Sequence, residues 1–485
     1  MGDDANSRWL LTGLGLLFLA AALAAPINHD ESQYVAAIAL MRDGLPYRDW
    51  AYLQTPLQPL LLSPLSLLPA GWLLVGARLA NVAFALVACW ALLRLLRGKV
   101  PSWAAATAVA AMALTNAFLF AADVARNDAL PVALLSLGLL ALDRRWALVA
   151  GLCFGLAVSA KISLALPVAG AGLWLLWRER RAVPPAVLGG MAGLLPCLVL
   201  YALAPQQFVF GVFTYSLEAP QQFWIAAGQA DRLALTGKLA GLGVELIRGA
   251  SLVALLLVLA DRRRFTPLAG LLNFGIAGGL VAAILPDPFF EQYLVPMLPP
   301  LFARAALALP ELRGRWRSGV LAAGGATALV GLVDVGSDYA RGWKEQRTLA
   351  VAVEQGRMVA ALANGRPVAS LAPERLAGSD VRLMPGFAAG PFLFRTSDGL
   401  AGRALAVTGA PTWQQLEQLD RAPPAVIVTG GERRPRPPVF PRGVDAPLDV
   451  WAESRGYSWL PLPGKEWRMW VAPSQKGGPE GPPSR

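Results

Sequence analysis

The sequence predicts an α-helical polytopic membrane protein that carries a small C-terminal α/β or α+β domain. Hydrophobic residues make up 55% of the 485-residue chain and charged residues only 15%, whereas soluble domains carry about 25% charged residues. Apolar runs long enough to cross a bilayer recur between residues 9 and 335, and the composition becomes more polar after Asp338. These two observations predict the fold class.

The membrane region, residues 1–338, contains about eleven apolar segments near the length of about 20 residues that a transmembrane helix requires. The fifth and sixth segments are short and separated only by Lys161, which predicts either a tight hairpin or one bent re-entrant unit. Gly151/Gly155 and Gly189/Gly193 have the small-xxx-small spacing of closely packed membrane helices. In chain order the predicted spans are 9–26, 71–93, 103–122, 124–142, 146–160, 162–177, 183–203, 239–260, 267–285, 293–309 and 319–335.

The distribution of basic residues predicts the orientation in the membrane. Lys and Arg cluster in every second loop, as the positive-inside rule describes for cytoplasmic loops. The N-terminus is therefore predicted in the cytoplasm, and Asp30, Glu31 and the C-terminal domain outside, which in a bacterium is the periplasm. These clusters also account for the net charge of +11, so we expect no nucleic-acid partner. The clustered residues are Arg94, Arg97, Lys99, Arg144, Arg145, Arg178, Arg180, Arg181, Arg262, Arg263, Arg264, Arg313, Arg315 and Arg317.

Two predicted outer loops are long, residues 27–70 and 204–238. The first contains "ESQYVAAIALMRDG", whose polar and apolar residues predict a helix lying along the membrane surface. In the C-terminal domain, residues 339–474, β-like runs occur at 367–372, 404–409, 425–430 and 468–473, with a helix-like stretch at 412–422. The remaining residues, 475–485, are rich in Gly and Pro and are predicted to be a disordered tail.

The first candidate for chemistry is the acidic pair Asp30–Glu31, which directly follows the first span. A carboxylate at the outer membrane surface could act as a general base toward an acceptor hydroxyl. The alternatives are a solvated loop or an N-cap for the helix that begins near Ser32. His29, the only histidine, precedes the pair, so His29, Asp30 and Glu31 are also candidate ligands of a divalent cation.

Further ionisable residues occur at the predicted outer ends of other spans. Asp128 is a candidate site residue or a helix cap, and Arg126 has the planar fork that suits a phosphate. Lys161 either extends to lipid headgroups or binds a lipid phosphate. At the start of the tenth span lie Glu291, Gln292 and Tyr293, the last of which could be an interfacial anchor.

Taken in order, these segments resemble the GT-C superfamily of polytopic glycosyltransferases. The similarity is to the group of protein O-mannosyltransferases and bacterial lipid A aminoarabinose transferases. It rests on "HDESQYVAAIALMRDGLPYRDWAYLQTPLQP", "ARNDALP", "SAKISLALP" and "FEQYLVPMLPPL", and covers about 300 residues. The resemblance implies inverting transfer of a sugar from a polyprenyl-phosphate donor to an envelope glycan, lipid or protein at the periplasmic membrane surface.

The resemblance also implies roles for individual residues. Asp30 would be the general base, supported by Glu31, and Asp128 the second acidic residue of the site. Lys161 or Arg126 would hold the departing lipid phosphate, where a cation stabilises the growing charge. Residues on the acceptor side would be Tyr47, Arg48 and Asp49. The chain has no second histidine to complete the metal site of some relatives.

Two other functions remain open at this point. A transporter or flippase for a lipid-linked saccharide would bind its substrate near the bilayer midplane between related repeats, but the candidate residues lie at the outer surface. A membrane assembly factor would leave the position of Asp30 and Glu31 unexplained. Met384–Arg395, "MPGFAAGPFLFR", is predicted as either a loop over the site or a series of tight turns.

Overall fold

The protein is described by a computed structural model over residues 2–261, 266–396 and 398–473. The predicted tail and Arg262, Arg263 and Arg264 lie outside these residues. The N-terminal region is helical throughout. Its helices are α1 (Gly2–Ala24), α2 (Glu31–Leu40), α3 (Leu57–Leu62), α4 (Trp72–Leu96), α5 (Ser102–Ala113), α6 (Asn116–Asp123), α7 (Ala129–Asp143), α8 (Ala147–Ala160), α9 (Ala165–Arg178), α10 (Val183–Gly193), α11 (Leu195–Leu203), α12 (Pro205–Val209), α13 (Tyr215–Ala226), α14 (Leu235–Ile247), α15 (Ser251–Ala260), α16 (Pro267–Ile284), α17 (Leu298–Ala308) and α18 (Gly314–Lys344).

Among the described residues, five helical stretches are long and apolar enough to cross a membrane, or up to eight if each of three bent pairs forms one span. Shorter apolar helices occupy three further predicted spans, at Ala129–Asp143, Ala147–Ala160 and Ile162–Arg178. The predicted span at 124–142 starts only at Ala129, because residues 124–128 form a loop. The apolar segments therefore fall where the sequence placed them, while the count of about eleven spans stays a prediction.

Two of the bent spans meet at their breaks. The pair α5–α6 bends by 70° and the pair α14–α15 by 95°. Thr115 caps α6 by accepting a hydrogen bond from the amide of Phe118 at 3.3 Å, and the amide of Asn116 donates to the carbonyl of Arg248 at 3.1 Å. Gly249, with φ +141°, lies so close that a Cβ there would be 2.9 Å from Cα of Thr115. The glycine thus allows one break to pack against the other.

Helix α2 differs from the amphipathic surface helix that the sequence predicts. The helix itself is confirmed, but all ten of its residues are buried. The turn Pro373–Arg375 of the C-terminal domain packs against α2, as does the segment after α3. Its charged residue, Glu31, can be buried because Arg78, rather than water, satisfies its carboxylate.

The C-terminal domain is a small α/β unit built on a mixed five-stranded sheet in the order β2-β1-β3-β5-β4. The pairs β1–β2 and β1–β3 are parallel, and β3–β5 and β4–β5 are antiparallel. Its elements are α19 (Leu349–Ala363), β1 (Pro367–Ser370), β2 (Arg382–Leu383), α20 (Pro391–Phe394), α21 (Asp398–Thr408), β3 (Val426–Thr429), α22 (Ala446–Ser454), β4 (Ser458–Pro461) and β5 (Arg468–Val471).

Three of the four β-like runs are strands, namely β1, β3 and β5. The run at 404–409 is not a strand but part of α21, where Leu400 and Ala404, four residues apart, are both fully buried. The helix expected at 412–422 is reduced to a 3₁₀ turn at Leu416–Asp420. The domain boundary proposed after Asp338 falls inside α18, which continues to Lys344.

Candidate active site

The turn between α1 and α2 brings Asp30 to one end of the helical bundle. Pro26 follows the end of α1, and the side chain of Asn28 then accepts a hydrogen bond from the amide of Asp30 at 2.9 Å. Asp30 occupies the N-cap position of α2, but its side chain makes no capping hydrogen bond. Its carboxylate is directed to other partners, so the capping alternative is wrong for this side chain.

Glu31 is fully buried and forms a bidentate ion pair with the equally buried Arg78 of α4. Arg78 Nε and Nη2 lie 2.8 and 2.7 Å from the two carboxylate oxygens. The amides of Ala125 and Asn28 also donate to Glu31, at 2.7 and 2.9 Å. Arg78 in turn donates to the carbonyls at the end of α1. Glu31 therefore ties together α1, α4 and the loop before α7.

Two acidic and two basic residues alternate in a row across the site. Arg126 contacts Asp30 Oδ2 through Nη1, and its Nε donates to Asp128 Oδ2 at 3.0 Å. The other oxygen of Asp128 contacts the ammonium of Lys161. This row of Asp30, Arg126, Asp128 and Lys161, which we call the charge row, joins three loops that are distant in sequence.

The loop at residues 124–128 is held by polar side chains from neighbouring helices. Asn81 donates to the carbonyls of Val124 and Arg126 at 2.6 and 2.7 Å, and Gln58 donates to the carbonyl of Arg126 at 3.0 Å. The Arg126 guanidinium also lies 5.0 Å from the ring centre of Phe120. The loop is thereby fixed without regular secondary structure, and this explains why no helix forms before Ala129.

Solvent reaches the charge row from one side. The side chains of Arg126, Asp128 and Lys161 are 5%, 1% and 9% exposed, whereas that of Asp30 is 23% exposed. Next to Asp30 on the open side lies His29, which is 46% exposed. Asp30 is therefore the member of the row that a molecule arriving from outside can touch.

His29 lies beneath the C-terminal domain. Its Nε2 is 3.1 Å from Asp30 Oδ1, and its ring centre is 5.9 Å from that of Phe392. The Nε2 atom is placed to donate a hydrogen bond to Asp30.

The arrangement does not fit a cation site built from His29, Asp30 and Glu31. Both oxygens of Glu31 accept hydrogen bonds from Arg78 and from backbone amides. No group of three or more His, Cys, Asp or Glu side chains converges anywhere in the described part of the chain. We therefore derive no chemical step through a metal ion.

One set of predicted site residues, Tyr47, Arg48 and Asp49, makes its contacts away from the charge row. The hydroxyl of Tyr47 bonds the carbonyl of Gln54, and Arg48 pairs with Asp49 at 2.7 Å in an exposed turn. Their hydrogen bonds and ion pairs, among the described residues, do not reach the charge row. A role for these three residues on the acceptor side stays a prediction.

The residues at the start of the tenth predicted span face α6. Glu291 accepts a hydrogen bond from Asn116 at 2.6 Å, Gln292 is buried, and the ring of Tyr293 lies 5.9 Å from that of Phe290. They line the bundle next to the broken span α5–α6, and Glu291 and Tyr293 lie close enough to the charge row to interact electrostatically with Arg126. Their part in substrate binding also stays a prediction.

Comparison with known proteins points to one class of enzyme. Residues 52–288, just under half of the chain, match the sequence model of glycosyltransferase family 87. Over this segment the chain is similar to membrane glycosyltransferases. Of the charge row, Arg126, Asp128 and Lys161 lie inside the matched segment, and Asp30 precedes it. No protein of curated function matches the chain in a sequence comparison.

Solved structures support the same fold. The structure of ArnT from Cupriavidus metallidurans in the apo state aligns over 97% of this chain and 100% of that chain, with 14% identity and a TM-score of 0.59. The structure of ArnT from the same organism bound to undecaprenyl phosphate aligns over 98% of this chain and 99% of that chain, with 14% identity and a TM-score of 0.63. At this identity the likeness establishes the fold alone.

Sequence reasoning left open whether the C-terminal domain contributes to the candidate site through Met384–Arg395. Residues 384–395 do lie over the site, because Phe392 is next to His29 and the hydroxyl of Tyr215 donates to the carbonyl of Phe392 at 3.0 Å. Gly390, with φ +54°, packs so closely on Ser32 that a side chain there would overlap it. The glycines and aromatic residues of this segment were the available signal.

Proposed function

We propose that the protein transfers a sugar, with inversion, from a polyprenyl-phosphate donor to an envelope glycan, lipid or protein acceptor. The reaction would take place at the periplasmic face of the bacterial inner membrane, with the N-terminus in the cytoplasm and the C-terminal domain in the periplasm. The observation that carries this proposal is the charge row, in which every side chain except that of Asp30 is buried away from solvent.

Asp30 would act as the general base in this reaction. It accepts the proton of the acceptor hydroxyl while the acceptor oxygen forms a bond to the anomeric carbon of the sugar. The bond between this carbon and the phosphate oxygen breaks, and its electron pair leaves with the polyprenyl phosphate. A carboxylate is suited to this step when it is in hydrogen-bonding reach of the incoming hydroxyl, and Asp30 is the exposed member of the row.

Arg126 and Lys161 would hold the donor phosphate. In the free protein Asp30 and Asp128 neutralise both cations, so an arriving phosphate must compete for them. When Arg126 turns to the phosphate it releases Asp30, which links donor binding to the readiness of the base. The cations then stabilise charge that grows on the leaving phosphate. The structure of ArnT bound to undecaprenyl phosphate supports a donor of this class.

The test is sugar transfer by the purified protein in nanodiscs, with a panel of labelled polyprenyl-phosphate sugars and extracted envelope acceptors. We expect Asp30→Asn to lower the transfer rate by at least about 100-fold. The matched control is Asp43→Asn, an exposed carboxylate of the same outer loop that pairs only with Arg42 among the described residues. Transfer undiminished by Asp30→Asn would eliminate Asp30 as the base. Saccharide movement across vesicles without any transfer would favour a transporter instead.

A further inference from the structure

Arg395, from the C-terminal domain, is held between two aromatic rings at the mouth of the site. Its guanidinium carbon lies 4.9 Å from the ring centre of Phe392, just after the start of α20, and 4.8 Å from that of Phe223 on α13. Its amide donates to the carbonyl of Pro391 at 3.0 Å. Two separate parts of the chain thus fix the position of this cation.

The guanidinium of Arg395 makes no hydrogen bond or ion pair with any residue that the structure describes. The five N–H donors of an arginine can all take part in recognising a ligand. Arg403 on the neighbouring helix α21 differs, because it pairs with Glu218 at 2.8 Å. Near Arg395, Arg436 pairs with Glu432 at 3.3 Å but has a buried Nε without a hydrogen-bond partner in the described chain. The N–H donors of Arg395 are therefore available to a ligand.

The two carboxylate oxygens of Asp30 have different neighbours. Oδ2 contacts Arg126 and so faces the charge row, which we assign to the donor phosphate. Oδ1 faces His29 at 3.1 Å, and beyond His29 come Phe392 and then Arg395. Arg395 is therefore connected to Asp30 through His29 and Phe392, and not through the cations of the charge row. A ligand of Arg395 approaches Asp30 from the side on which the acceptor must arrive.

We propose that Arg395 binds an anionic group, a phosphate or carboxylate, of the acceptor and holds the acceptor hydroxyl against Asp30. Arginine suits such a group because its planar fork matches two oxygens of an oxyanion. The flanking rings of Phe223 and Phe392 keep the fork oriented and offer apolar surface to the rest of the acceptor. This inference rests on the proposed function and narrows its acceptor to an anionic molecule.

The first test measures binding without catalysis. Dodecyl phosphate is titrated onto the full-length protein in phosphatidylcholine nanodiscs, with undecaprenyl phosphate at saturation to block the charge row. We expect Arg395→Gln to weaken binding of dodecyl phosphate at least tenfold, and Arg403→Gln to leave it unchanged. Dodecanol, without the anionic group, is expected not to bind. Equal binding to Arg395→Gln would overturn the proposal, and equally tight binding of inorganic phosphate would assign the position to a free anion rather than to an acceptor.

The second test uses transfer. Envelope acceptors are separated into neutral and anionic fractions, and we expect labelled sugar to enter the anionic fraction. Arg395→Gln is expected to raise the KM for this acceptor at least tenfold with the donor KM unchanged, and Arg395→Lys to recover part of the loss. Transfer to neutral acceptors that is insensitive to Arg395→Gln would overturn this inference while the proposed function stands. If no fraction accepts sugar, the proposed function fails and the binding experiment alone decides the role of Arg395.

Discussion

Asp30 and Glu31 are adjacent in the chain, but their side chains have different surroundings. Asp30 is partly exposed and contacts Arg126, whereas Glu31 is fully buried against Arg78. Because consecutive residues at the start of α2 point in different directions, the carboxylate of Asp30 is partly exposed and that of Glu31 lies between the helices. An ionisable side chain at such a depth is costly unless it is paired. The pair Glu31–Arg78 therefore stabilises the fold, and Asp30 remains the proposed catalytic carboxylate.

Exchanging the two carboxylates for amides is expected to separate these roles. Glu31→Gln leaves the Arg78 charge buried without its partner, which destabilises proteins by about 3–5 kcal/mol. Asp30→Asn is expected to leave the melting temperature nearly unchanged and to stop transfer. The measurement is thermal unfolding in nanodiscs alongside the transfer assay. Equal melting temperatures for Glu31→Gln and wild type would show that the buried pair is not needed for the fold.

A second buried carboxylate predicts a pH dependence of stability. Burial raises the pKa of Glu374 to about 8, although Arg375 opposes the shift. Between the ordinary value of 4.5 and about 8, the folded protein holds a proton that the unfolded chain has lost. The stability that this group contributes is therefore complete at low pH and is lost as pH rises through this window, by about 1.4 kcal/mol per pH unit.

We expect Glu374→Gln to remove this dependence, because an amide does not titrate. The melting temperature of the wild type relative to Glu374→Gln should fall from pH 5 to pH 8 and level off above it. Glu354→Gln, which changes an exposed carboxylate on α19, is the control. A constant difference between wild type and Glu374→Gln across this range would contradict the assigned protonation.

At the scale of elements, the glycine spacing in α8 and α10 correctly predicted close helix packing. A Cβ at Gly151 would overlap the carbonyl oxygen of Ala186, and one at Gly189 would overlap the carbonyl oxygen of Leu148. The two helices approach until backbone meets backbone, as small-xxx-small interfaces allow. This interface lies next to Lys161 at the end of α8, so its geometry helps to place the charge row.

Gly151→Ala is expected to force α8 and α10 apart and to destabilise the protein by about 1–3 kcal/mol. Gly172→Ala in α9 is the control, because a Cβ there meets nothing within 4 Å and alanine favours the helix. Thermal unfolding of both variants is the measurement. Similar melting temperatures for the two alanine variants would rule out tight packing at Gly151.

The breaks within the predicted spans could not be read from the sequence. Residues 103–122 form one apolar run, yet Thr115 interrupts it with a bend of 70°. The bend depends on the contact of Thr115 with Gly249, which lies 134 positions later in the chain. Hydropathy reports the transfer of a segment into lipid, and it carries no information about such contacts.

At the scale of the whole molecule, the C-terminal domain contacts the candidate active site. Gly390 packs on Ser32 of α2, and Phe392 of the same segment reaches His29. Gly390→Ala is expected to displace this segment and to reduce transfer at least about tenfold, since small displacements of positioning groups have large effects on rate. Gly402→Ala, at an open position of α21, should retain wild-type transfer. The comparison requires only the transfer assay, and wild-type activity of Gly390→Ala would exclude this role of the segment.

The sequence by itself determined the membrane fold class, the positions of the apolar segments, three of the five strands and the candidates Asp30, Arg126, Asp128 and Lys161. These follow from composition, hydropathy and residue chemistry, which are local properties of the chain. Only the tertiary structure decided that Glu31 pairs with Arg78, that α2 is buried and that Arg395 lies between Phe223 and Phe392. Each of these depends on contacts between distant segments, because burial and charge pairing are properties of the packed molecule.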